Sequence, residues 1–201
     1  MAKAWGARYR AEETSAGRSG TFGPCAAGGE GEHRQEGDSH AGEVRRVDVK
    51  DAAGQFLASR RIAVTGVSRT AKGHGSNVVY QRLRQRGYQV FAVNPNADKV
   101  EGDTCYHDLE SIPGGVEAVV IGTRPEIAES TVRECARLGV RQVWMHRGPG
   151  AGSVSTAATG YGREHGMTVI DGGCPLMFGP TADFGHKVMR MFLSSHVPKE
   201  V

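Results

Sequence analysis

From Arg61 onward the chain alternates short runs of β-branched residues with longer stretches of helical period, and this alternation limits its fold more than any other feature. Parallel strands need a crossover of roughly a dozen residues or more, usually a helix, so the spacing selects a parallel sheet with crossover helices. The strand candidates are Ile62–Thr65, Gln89–Val93, Ala118–Ile121, Gln142–Met145 and Thr168–Ile170. Several are nearly all apolar, as strands covered on both faces should be. Three intervening segments close alike, with Leu83-Arg84-Gln85-Arg86-Gly87, Ala136-Arg137-Leu138-Gly139 and Arg163-Glu164-His165-Gly166. Each Gly suits the left-handed position just past a helix, and the neighbouring Arg or His complements the negative helix end.

The clearest helix opens at Pro125, where a first turn tolerates proline, and carries Ile127, Thr131, Cys135 and Leu138 at helical spacing. A shorter helix is expected over Asp51–Ser59, bringing Phe56 and Leu57 to one side, with Gly54 weakening it. A last helix is expected over Thr181–Leu193, with Val188, Met191 and Phe192 toward the core. The whole predicts an α/β, doubly wound, mainly parallel five-stranded sheet of Rossmann-like type, with its ligand at the carboxyl ends of the strands.

Residues 1–43 hold few large apolar side chains (Met1, Trp5, Tyr9 and Phe22) among Gly, Ser, Glu and Arg. That is too little burial to offset the entropy of ordering them, so a disordered tail is expected before a domain covering 44–201. The formal charge of +3 hides an asymmetry, because the tail is net acidic and leaves about +5 on the domain. A basic domain suits an anionic ligand. No Lys/Arg run tracks a nucleic-acid backbone, so nucleic acid is not expected as a partner. The four cysteines, Cys25, Cys105, Cys135 and Cys174, form no C-x-x-C pair, which argues against a metal site and a disulfide framework. Reduced thiols, no apolar run long enough to span a bilayer, and no secretory signal lead to the expectation of a cytoplasmic protein without membrane association.

The loop leaving the first strand, Thr65-Gly66-Val67-Ser68-Arg69-Thr70-Ala71-Lys72-Gly73-His74-Gly75-Ser76-Asn77, is the most informative segment. Gly66 permits a tight exit, while Gly73 and Gly75 let backbone N–H groups approach a phosphate at the start of a helix from Ser76. Ser68 can add a hydroxyl donor, and Arg69 and Lys72 add cations suited to a ligand more anionic than a mononucleotide. A Gly-rich turn with solvated basic residues is the structural alternative. A dinucleotide dehydrogenase places a carboxylate about 20 residues beyond its glycines, to hold the ribose hydroxyls. Here the second strand ends instead in Val93-Asn94-Pro95-Asn96, offering an amide and a flat ring to an adenine, or forming an ordinary Asn-Pro turn.

These segments together resemble the small CoA-binding proteins related to the nucleotide-binding domain of the succinyl-CoA synthetase α subunit. The resemblance rests on Arg61 to Ser68, Gly87 to Asn96, Gly102 to Tyr106 with Asp108 to Pro113, and Val143-Trp144-Met145, and covers about Ala52 to Thr181. It implies coenzyme A or an acyl-CoA as ligand, with its phosphates over Gly66 to Gly75, including Val67, and its adenosine end near Asn94, Pro95 and Lys99. It also implies that Gly122-Thr123-Arg124-Pro125 closes over part of the nucleotide; Lys99 and Arg124 then have the 3′-phosphate and the diphosphate to meet, or are solvated surface charges.

The chain departs from the family pattern at His146, where many relatives carry Gln, and over Asp171 to Phe178. The expected function is a non-catalytic or weakly catalytic CoA-binding module, a sensor or carrier, since one Rossmann-like unit leaves no room for the further domains of a complete ligase. Two alternatives stay open: an NAD(P)-dependent oxidoreductase or redox sensor that meets a 2′-phosphate with Arg69, and a thiol-exchange enzyme using Cys174, with His146 and His186 as candidate basic neighbours. An edge strand would also permit a homodimer.

Overall fold

A computed structural model describes residues 47–70, 74–148, 152–179 and 185. The tail over 1–43, the last helix over Thr181–Leu193, Lys72, Gly73 and His186 lie outside the described residues. The elements run α1 (Val49–Ala58), β1 (Arg61–Thr65), α2 (Gly75–Gln85), β2 (Gln89–Val93), β3 (Lys99–Val100), β4 (Asp103–Tyr106), β5 (Ala118–Ile121), α3 (Pro125–Arg137), β6 (Gln142–Met145), α4 (Thr156–Glu164) and β7 (Thr168–Asp171). A short 3-10 turn follows at Pro175–Met177.

The strands form one seven-stranded sheet in the order β3-β4-β2-β1-β5-β6-β7. Every described pairing is parallel except β3 with β4. The five expected strands are all present, and the sheet is larger than expected by the hairpin β3–β4 on the β2 side. The added strands have two and four residues and carry charges, so neither shows the apolar run that marks the central ones.

Alternation along each strand feeds two cores. Ile62, Val64, Val120, Trp144 and Ile170 point to the face covered by α1 and α2, where Phe56, Tyr80 and Leu83 are buried. Ala63, Val119, Ile121, Val143 and Val169 point to the face of α3 and α4, against Ala128, Val132 and Cys135. Burying both faces of a parallel sheet is what its near-continuous apolar strands require. Trp144 anchors the first core: Phe56 meets its ring edge-on at 5.3 Å, and its indole N–H donates to Gly172 O at 2.8 Å.

The helix ends follow from capping chemistry. Asp48 and Ser155 accept from Lys50 N and Ala158 N at the starts of α1 and α4. Gly87, Gly139 and Gly166 take φ of 85°, 76° and 68° just past α2, α3 and α4, as the helix-ending pattern predicts. Two of the residues read at helical spacing on α3, Thr131 and Cys135, are buried. Ala128, Thr131, Val132 and Cys135 face the core, while Ile127 is 42% exposed.

Candidate functional site

The carboxyl ends of β1, β2 and β5 converge where the sheet order reverses, the position at which open α/β sheets leave a crevice. β1 leaves through Gly66, whose φ of 73° favours glycine and whose N–H donates to Val93 O at 3.0 Å. A Cβ on Gly66 would stand 2.7 Å from Gly122 O, and one on Gly122 would stand 2.3 Å from Ser76 Oγ and 2.8 Å from Thr65 O. The exits of β1 and β5 therefore pack backbone against backbone beside the start of α2. Ser76 Oγ donates to Gly122 O at 3.1 Å, tying the three elements together.

Beyond Gly66 the loop is held by side-chain amides. Asn94 Nδ2 donates to Val67 O at 2.8 Å, and Asn94 Oδ1 accepts from Asn96 N at 2.9 Å. Asn77 Oδ1 accepts from Ser68 N at 2.8 Å, while Asn77 Nδ2 donates to Ser68 O at 2.8 Å. Ser68 Oγ accepts from Thr70 N at 3.1 Å, which leaves its hydroxyl proton able to donate. Arg69 is exposed on this loop and Val67 is buried beneath it. The loop meets α2 at His74, which provides no side-chain cap, and the first turn of α2 holds no acid. The N–H groups of Asn77 and Val78 already reach His74 O, and among the described residues no side chain caps those of Gly75 and Ser76; an uncapped helix start favours an anion.

His146 closes the other side of that helix start. A Cβ on Gly75 would lie 2.9 Å from its Cε1 carbon, so only glycine lets ring and helix meet this closely. Its backbone N–H donates to Ile121 O at 2.9 Å. Burial lowers the imidazole from its ordinary 6.5 to about 4, so the ring is neutral at physiological pH.

A cavity of about 360 Å³ opens along the α3 side of this edge. Gly66, Asn94, Pro95 and Thr123 line it from the strand ends, and Ile127 and Glu134 line it from α3. Thr123 Oγ1 is buried there with no hydrogen-bond partner. Ile127, 42% exposed, presents an apolar surface to the cavity. Asp108 also lines it, its carboxyl held below the usual range by the backbone N–H and hydroxyl of Ser111. Glu134 accepts from Leu109 N at 3.0 Å, fixing a second carboxylate in the wall. The second strand ends without an acid, yet the carboxylates of Asp108 and Glu134 reach the cavity from elsewhere in the chain.

Residues 60–180 match the family described as CoA binding domain. The chain belongs to that family. Within this CoA-binding domain, 104 residues are 35% identical to the ADP-forming acetate–CoA ligase II of Archaeoglobus fulgidus, covering 50% of the chain but 15% of the ligase. A further match, to the protein YneT of Bacillus subtilis, is 29% identical over 112 residues and covers 56% of the chain and 79% of YneT. A hypothetical protein of Pyrococcus horikoshii shares the fold at a TM-score of 0.58 and 22% identity, covering 74% of the chain and 93% of that protein. The aligned region thus spans a small part of the ligase and most of YneT.

Lys99, Arg124 and Pro125, the other residues expected of the CoA-binding domain, do not line the cavity. Lys99 begins β3 and is exposed; Arg124 is exposed at the N-cap of α3, and Pro125 is its first residue. Cys174 does follow β7, but at 5% exposure it is buried in the α1–α2 core with Trp144 and Phe178, short of the exposure thiol exchange requires. Among the described residues no group of His, Cys, Asp and Glu can hold a metal, and no helix is long and apolar enough to cross a membrane. Sequence reasoning missed a role for Asn77, Asp108 and Glu134; Asn77 and Glu134 meet partners 24 and 25 residues away, while Asp108 is held by the nearby Ser111.

Proposed function

We propose that this domain binds coenzyme A or an acyl-CoA at the carboxyl edge of the sheet and works as a sensor or carrier module. The phosphates lie against the loop from Gly66 to Gly75, where the uncapped start of α2 supplies N–H groups and Arg69 and Lys72 supply charge. The adenosine end enters the cavity beside Asn94, Pro95 and Ile127, with Glu134 or Asp108 accepting from a ribose hydroxyl. Thr123, from the loop Gly122 to Pro125, covers part of the nucleotide, and Lys99 and Arg124 serve its outer phosphates.

The observation that carries this reading is the buried Thr123 hydroxyl, left without a partner in the wall of a cavity that begins at Gly66. An unpaired buried hydroxyl is costly, and since its oxygen is shielded from the open cavity, a ligand oxygen or nitrogen would satisfy it once the loop Gly122 to Pro125 shifts to cover the nucleotide.

Parallel calorimetric titrations with CoA, dephospho-CoA, NAD and NADP test the assignment. CoA is expected to bind tightest, and more weakly once its 3′-phosphate is removed; a preference for NADP would overturn the reading. Replacing Arg69 and Lys72 together by Ala is expected to cost about 2 to 4 kcal/mol of CoA binding, as lost charge-assisted contacts to phosphate.

A further inference from the structure

We infer that Asn77 and Glu101 form a positioning clamp that sets the phosphate loop, making the β3–β4 hairpin a working part of the ligand site. The inference deepens the CoA-binding reading and rests on it for its functional half. Asn77 is 1% exposed, and a carboxamide buried so completely needs a partner for each donor and acceptor. It has them. Its Oδ1 takes the Ser68 N–H, one Nδ2 proton goes to Ser68 O, and the other goes to Glu101 Oε1 at 2.7 Å.

Pairing with both the N–H and the C=O of one residue is what a neighbouring strand does in a ladder. At Ser68 the chain has left β1 and is turning toward α2, so no strand is at hand and the side chain substitutes for one. Glu101 decides which way the amide faces. Turned over, Asn77 would set its oxygen against the carboxylate and Ser68 O, and its NH₂ against the Ser68 N–H, so all three bonds would be lost.

Glu101 holds this place at a cost. It and Gly102 form the two-residue turn between paired Val100 and Asp103, with φ of 51° and 84°. Positive φ at both central residues is the hairpin geometry that Asn-Gly or Asp-Gly fills readily. A Glu in the left-handed region is strained, whereas Gly would not be. The strain is offset by its contacts, because Glu101 Oε2 also accepts from Gln81 Nε2 at 2.7 Å, binding the turn to α2. One further consequence follows for the ligand. With the Ser68 N–H spent on Asn77, phosphate oxygens must be met by the other loop amides and the first turn of α2, and the clamp holds those in place.

The test uses the full chain with Glu101→Gly, Glu101→Gln and Asn77→Ala. Glu101→Gly relieves the turn and keeps the fold, so its melting temperature should stay level or rise while CoA affinity falls about tenfold, as one lost positioning bond predicts. Adenosine, which has no phosphate, should bind within about twofold of wild type. Glu101→Gln keeps an acceptor for Asn77 and should restore most of the CoA affinity. Asn77→Ala should match Glu101→Gly in ligand preference, and both should speed hydrogen exchange at the Ser68 amide. CoA affinity unchanged in Glu101→Gly, or adenosine weakened as much as CoA, would overturn the clamp. Should wild-type protein fail to bind CoA, the ligand reading falls by itself. The loop-holding half is then judged on Ser68 exchange, which stands if faster in both variants and fails if unchanged.

Discussion

The two edges of the sheet both carry a cavity, and the larger one is not the candidate site. At the amino edge a space of about 500 Å³ is lined by Arg61, Ile112, Glu117 and neighbouring residues. Its polar groups are already paired. The Arg61 guanidinium donates to Gly115 O at 2.9 Å, to Gln89 Oε1 at 2.8 Å and to Pro113 O at 2.5 Å, and lies over the Phe91 ring at 4.6 Å. Glu117 accepts from the backbone N–H groups of Arg60 and Arg61. At the carboxyl edge the cavity is smaller, yet Thr123 keeps an unpartnered hydroxyl and α2 begins uncapped. The Arg61 and Glu117 side chains are thus spent on structure, and the unspent capacity at the carboxyl edge sits in the cavity wall and at a helix start, whereas at the amino edge it is the Gln142 Oε1 at the start of β6.

The sharpest way to break this contrast is to add one methyl group at each edge. Gly122→Ala puts a Cβ against Ser76 and Thr65 O and should destabilise the domain by about 3 to 4 kcal/mol in denaturant titration, because backbone cannot yield as a side chain end can. Gly115→Ala meets nothing within 4 Å, so only its left-handed φ is strained and the loss should be about 1 kcal/mol. Equal losses would show that the β1–β5 contact is looser than described.

Acid should act on the two edges in different windows. His146 is held neutral by burial, so its contribution to stability is complete above pH 6.5 and is lost as pH falls toward its folded value of about 4. Comparing wild type with His146→Gln by urea unfolding across pH 7 to 4 should show wild type losing about 3 kcal/mol more than the variant. The Glu117 carboxyl lies below its ordinary 4.5 because the Arg60 and Arg61 N–H groups bond to it. The amino edge therefore weakens only as pH falls below that value, and identical acid profiles for wild type and His146→Gln would discount the buried imidazole.

Two smaller effects divide stability from affinity. Arg61→Met leaves Gly115 O and Pro113 O to water and should cost about 1 kcal/mol of stability while leaving CoA affinity unchanged. Thr123→Val should do the reverse. Removing an unpaired buried hydroxyl should raise stability by about 1 kcal/mol, while CoA binding weakens about fivefold. A Thr123→Val protein that binds CoA as wild type does would remove the hydroxyl from the site.

Much of the frame was legible because its causes are local. The strands β1, β2, β5, β6 and β7 announce themselves by largely apolar, β-branched runs, and Gly87, Gly139 and Gly166 mark helix ends by needing positive φ. The turn at Gly66 and the Asn-Pro segment after β2 could be placed at the carboxyl edge of the sheet from their position after strands. The β3–β4 hairpin was not legible, because two short, partly charged strands carry no apolar period and its turn uses Glu-Gly rather than Asn-Gly. Of the series read at helical spacing on α3, Thr131 and Cys135 are buried, while Ile127 lies outside because Ala128 and Val132 take the core positions beside it. Asn77 and Glu101 gave no signal at all: they are 24 residues apart, and their meaning arises only when the hairpin folds back over α2.

Amide chemical shifts in ¹⁵N-labelled protein, followed during a CoA titration, test the assignment of the binding edge most directly. The account predicts saturable shifts at Gly66 to Arg69, Asn96, Gly122 and Thr123, with Gly114 to Glu117 and Val140 unmoved. Shifts confined to the amino edge, or none at either edge, would contradict it.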